Sequence, residues 1–124
     1  MSFNFNPKID RDFIISMYEE DYPYISEIFS TTLNQLIPDV DLIKQHFTNG
    51  DLEKVRKQVH KVKPALGFAG LRDTEALCQR FEDSCVSASS TSALNNQYAI
   101  LTAMLDESCQ VIQQEIERLK VYNN

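Results

Sequence analysis

Apolar residues recur along most of this chain at intervals of three and four, the repeat that stacks side chains along one face of an α-helix. From Pro23 onward Ile25, Phe29, Leu33, Leu36, Val40, Ile43 and Phe47 keep that spacing. One long amphipathic helix is predicted to run to Thr48, bent but not ended by Pro38. Asn49-Gly50 offers left-handed backbone for a stop, and Asp51 offers an N-cap for a new helix, so the turn is tight and the two helices pack antiparallel. In the third helix Leu52, Val55, Val59, Val62 and Leu66 form an inward seam that weakens at Gly67 and Gly70. A fourth helix over Arg72 to Cys85 turns Leu77 and Phe81 inward. A long fifth, Ser92 to Tyr122, carries Leu94, Tyr98, Leu101, Leu105, Ile112, Ile116 and Leu119 on one face.

Ahead of these, Asp10 is placed to cap a short helix over Arg11 to Glu19, with Phe13, Ile14 and Met17 covering one end of the assembly. No alternating strand pattern competes anywhere. Amphipathic helices joined by short turns bury their stripes most simply as an all-α, antiparallel up-down four-helix bundle, here with the additional short N-terminal helix as a lid.

Composition narrows the function. At 124 residues the chain supports one domain, taken as 1–124, and its 3 Gly and 4 Pro suit long helices with few turns. The net charge of −6 repels a phosphate backbone and argues against a nucleic-acid or anionic-lipid partner. No apolar run approaches the roughly 20 residues that span a bilayer, and the first residues lack a secretory pattern, so a cytoplasmic location is expected. Cys78, Cys85 and Cys109 include no CxxC pair and read as small, buried or half-buried apolar groups, with neither a disulfide framework nor a metal site expected.

The chemistry concentrates on the third helix. At about 100° per residue, the Val59/Val62 seam sets His60, Arg56, Lys63, Pro64 and Gly67 on a neighbouring, outward sector, with Lys57 beside Arg56. An exposed imidazole is nucleophilic near neutral pH and can accept a phosphoryl group. Lys63 one turn onward and Arg56 one turn back are placed to meet its oxygens, while compact Pro64 and Gly67 leave room for a partner. Residue type and spacing alone favour the plainer reading, a surface histidine among solvated lysines. His46, near the end of the second helix, is read only as a group favourably placed at the negative end of the helix dipole.

The surrounding string decides between those readings. His60-Lys61-Val62-Lys63-Pro64-Ala65, then Gly70-Leu71, then Leu77-Cys78-Gln79-Arg80-Phe81-Glu82 resembles the signature of histidine-containing phosphotransfer domains, as does Asn49-Gly50-Asp51-Leu52 before the phosphorylated helix. The resemblance covers Ile25 to Glu82. It implies a phosphorelay intermediate that accepts a phosphoryl group on His60 from a receiver-domain aspartate and passes it on, with Lys63 steadying the oxygens. The partners implied are response-regulator receiver domains and a hybrid sensor histidine kinase, docking where Arg56, Lys57, Pro64 and Gly67 lie. The chain would be a carrier and not a complete enzyme, needing no cofactor of its own because Mg²⁺ is expected in the receiver. A monomer suffices, since the bundle core accounts for every apolar stripe.

One departure stands out. The family usually has Gly where this sequence has Pro64, which removes the amide that would bond to the carbonyl of His60 and is expected to bend the helix there. Pro64 is also the one feature favouring an alternative, an adaptor that keeps the fold and binds a receiver or kinase without taking phosphate.

Overall fold

The computed structural model describes residues 3–124, and among them regular structure is helical throughout. The elements are α1 (Arg11–Tyr18), α2 (Tyr22–Thr48), α3 (Leu52–Phe68), α4 (Arg72–Ser87), a 3-10 turn (Thr91–Leu94) and α5 (Asn95–Asn123). Three of the starts are set by aspartates whose side chains accept an orphan amide three residues on. Asp10 takes Phe13 N–H, Asp21 takes Tyr24 N–H and Asp51 takes Lys54 N–H, each at 3.1 Å.

Helices α2 and α4 each pack against both α3 and α5, which closes a four-helix ring around one core. Phe29, Leu36, Leu66, Phe81, Leu101, Leu105 and Leu119 lie fully or almost fully buried in it. The α2–α3 turn reverses on Gly50, at φ 72°, while Asn49 stays right-handed at φ −78°. Glycine alone thus takes the left-handed position. Gly70, at φ 74°, does the same between α3 and α4, where a Cβ would also lie 3.1 Å from both Ile9 and Ile14.

Helix α1 sits over that second turn. Asp10 N–H donates to Gly70 O at 2.8 Å, and Tyr18 O–H to Phe68 O at 3.0 Å. It covers one end of the bundle as expected, but through Ile14, which is buried. Met17 is 53% exposed, on the wall of an open groove lined by α1, α2 and α3 and outside the core.

One boundary and one helix face also differ from expectation. The segment over 91–94 is a 3-10 turn, since Ser90 is extended at φ −162° and the α-helical path begins only at Asn95. Leu94 is buried all the same. On α4 the inward face is Thr74, Cys78, Phe81, Glu82 and Cys85, with Leu77 only partly covered.

Candidate functional site

Helix α3 is held to the core by Val55, Val59, Val62 and Leu66, all essentially buried, and this fixes which side chains face outward. His60 lies on the flank shared with α4. Its side chain is 66% exposed, so one edge of the ring meets solvent while the other meets a carboxylate.

That carboxylate is Glu82 of α4, whose side chain is only 12% exposed. Its Oε1 lies 2.8 Å from His60 Nδ1, and Lys63 Nζ lies 2.7 Å from its Oε2, off the hydrogen-bond direction but well within ion-pair range. Burial opposes ionisation of Glu82, but Lys63 and His60 outweigh it and hold the carboxyl below its usual range. The group is therefore a carboxylate at neutral pH and can only accept. In the neutral ring His60 therefore donates from Nδ1 and keeps its lone pair on Nε2, free to attack an electrophile.

Lys63 is engaged on a second side, donating to Gln79 Oε1 at 2.5 Å, and Gln79 in turn donates to Asp83 Oδ1 at 2.9 Å. His60, Lys63 and Pro64 of α3 face Arg72, Glu75, Ala76 and Gln79 of α4 across an open concavity of about 360 Å³. Its charged lining suits an anionic group.

The other expected residues are placed differently. Arg56 turns back one turn and grips Glu53 through Nε at 3.1 Å and Nη2 at 2.5 Å, so it is committed away from His60. Lys57 is freely exposed, with Glu53 4.0 Å away. Pro64 is exposed and α3 continues through it. Gly67 corrects the expectation of an open surface: it is buried, and a Cβ there would come within 2.7 Å of Glu75 Oε2. Its small size makes room for a side chain of α4.

Cys78 and Cys85 lie on the same face of α4 as Glu82, yet burial pushes their thiols up to about 12 and about 11. They remain protonated at neutral pH, which leaves His60 as the available nucleophile of this face. Sequence reasoning noted Glu82 only as part of a string. Its role depends on α3 and α4 running antiparallel at a register that brings residues 60 and 82 level. Among the described residues no cluster of three His, Cys, Asp or Glu side chains is arranged to hold a metal, and no helix is long and apolar enough to cross a membrane.

A family model described as the Hpt domain matches residues 27–121. None of the curated proteins matches the chain. Among solved structures, the crystal structure of the HPT domain from the Hpt sensor hybrid histidine kinase of Shewanella aligns with a TM-score of 0.76. It is 18% identical, over 90% of this chain and 95% of that one, a likeness of fold.

Proposed function

The chain belongs to the Hpt, or histidine-containing phosphotransfer, domain family, and from that premise we propose that it is a phosphorelay intermediate whose acceptor is His60 Nε2. The observation that carries this reading is the hydrogen bond from His60 Nδ1 to Glu82, which aims the free nitrogen of an exposed ring outward. Nε2 attacks the phosphorus of an aspartyl phosphate on a receiver domain. The P–N bond forms as the P–O bond breaks, and the aspartate carboxylate leaves.

Nδ1 keeps its proton throughout, so the ring gains positive charge as transfer proceeds and the Glu82 carboxylate is its counter-charge. In the reverse direction the same cationic ring is a good leaving group, which suits a carrier that must both load and unload. Lys63, anchored on Glu82 and Gln79, stands on the concave side where phosphoryl oxygens would lie. The receiver supplies the aspartate and Mg²⁺, so catalysis is completed only in the complex, and the work is cytoplasmic.

Incubation with a phosphorylated receiver and Mg²⁺ tests the reading. Label should enter the wild-type chain in acid-labile, alkali-stable form and be absent from His60→Gln. Label that persists in the variant, or a wild-type chain that binds receivers and takes none, would overturn it, the second result favouring an adaptor.

A further inference from the structure

Of the cations on α3 around His60, Lys57 is freely exposed and the other three are already committed. Arg56 grips Glu53 through two nitrogens, Lys63 is shared by Glu82 and Gln79, and Lys61 reaches Asp39 at 3.3 Å on the far side of α3. Arg72 differs. It lines the same concavity as His60, is about half exposed, and meets its two carboxylates only at long range, Asp10 at 3.6 Å and Glu75 at 4.0 Å. Its guanidinium rests over the ring of Phe13, 4.5 Å from the centroid, so the planar fork is oriented without being consumed.

Distance decides what such a fork can meet. Residues 60 and 82, 63 and 79, and 67 and 75 are opposed across the α3–α4 pair, so Arg72 lies ten residues from the level of His60. At 1.5 Å per residue that is about 15 Å along the axis, beyond the reach of one side chain to a phosphoryl group on His60. A protein partner covers roughly 800 Å² on its side of an interface, a patch roughly 30 Å across, and one centred on His60 extends as far as Arg72.

Building on the proposed relay role, we propose that Arg72 is a docking and specificity residue that pairs with a carboxylate on the bound receiver domain. Glu75 is the one carboxylate in the concavity, and its 4.0 Å contact with Arg72 is the one the partner would displace. Arg72 thereby strengthens encounter and register without touching the reacting atoms.

Receiver domains from the source organism, phosphorylated with acetyl phosphate, are first screened against the wild-type chain, and the fastest donor is used for the comparison. Arg72→Ala should raise KM about fivefold and Arg72→Glu more, with the rate at saturation unchanged and a flatter dependence of kcat/KM on salt. Arg72→Lys should not restore KM, because an ammonium lacks the planar fork. Loading by potassium phosphoramidate, which brings no protein surface, should be equal in all variants.

Asp10→Asn separates docking from support of α1, since asparagine still caps Phe13 N–H while losing its charge. It should leave KM unchanged. An unaltered KM in Arg72→Glu, or an Asp10→Asn variant as defective as Arg72→Ala, would overturn the proposal while leaving the relay reading intact. A wild-type chain that neither phosphoramidate nor any receiver labels would instead sink the relay reading.

Discussion

A carboxylate as covered as Glu82 is tolerable only while its charge is met, and here one oxygen faces an imidazole N–H and the other an ammonium. The same arrangement fixes the tautomer of His60, so Glu82→Gln should slow phosphotransfer about tenfold or more and admit the second tautomer. Nitrogen chemical shifts of the His60 ring would report that change directly. The pH dependence has a definite sign. Because the folded carboxyl titrates below its ordinary value of about 4.3, its contribution to stability is complete at neutral pH and is lost as acid protonates it. Wild type should therefore lose stability more steeply than Glu82→Gln as pH falls below about 4.3, read by denaturant midpoints. Equal slopes would show that Glu82 is not held ionised by its neighbours.

Helix α3 carries both the core seam and the site, so a change in its backbone is felt by both. Pro64 denies the His60 carbonyl its helical partner, yet the helix runs on to Phe68 because Val62 and Leu66 are anchored in the core on either side. Pro64→Ala should raise the unfolding free energy by about 1–3 kcal/mol by restoring that hydrogen bond. It should also change the relative rates toward different receivers, since Pro64 borders both the His60 concavity and a larger groove of about 760 Å³ between α2 and α3. Unchanged relative rates would remove Pro64 from partner choice. Of the turns around this helix, Asn49-Gly50 was legible because glycine is a local signal, whereas the 3-10 turn over 91–94 was not, since serine-rich backbone follows whatever its neighbours impose.

At the scale of the whole molecule, the N-terminal residues bind the bundle together. Phe3 and Phe5 are buried against Tyr22, and Phe5 also meets Phe29 edge-on at 6.2 Å. Glu115 of α5, almost wholly buried, accepts Asn6 N–H at 3.0 Å and pairs with Arg118, which donates to Asn4 O at 2.6 Å. Phe5→Ala should cost about 3 kcal/mol, seen as a lower thermal midpoint, while leaving the labelling of His60 by a phosphorylated receiver unchanged. Nothing in the periodicity announced this strap. A segment of extended chain has no repeat, and its burial depends on where α2 begins and α5 ends.

By itself the sequence determined the helices, most of their inward faces and the outward placing of His60, because these arise from spacing along one chain and from local turn and cap chemistry; the inward expectations for Met17 and Leu77 were the exceptions. The tertiary structure decided what each charged side chain does. It gave Glu82 to His60 and Lys63, drew Arg56 back to Glu53, buried Gly67 under Glu75 and set Arg72 within the same concavity. Apart from the Arg56–Glu53 pair, which is local to α3, these arrangements depend on the register between α3 and α4, a relation between segments that no periodicity within either one encodes.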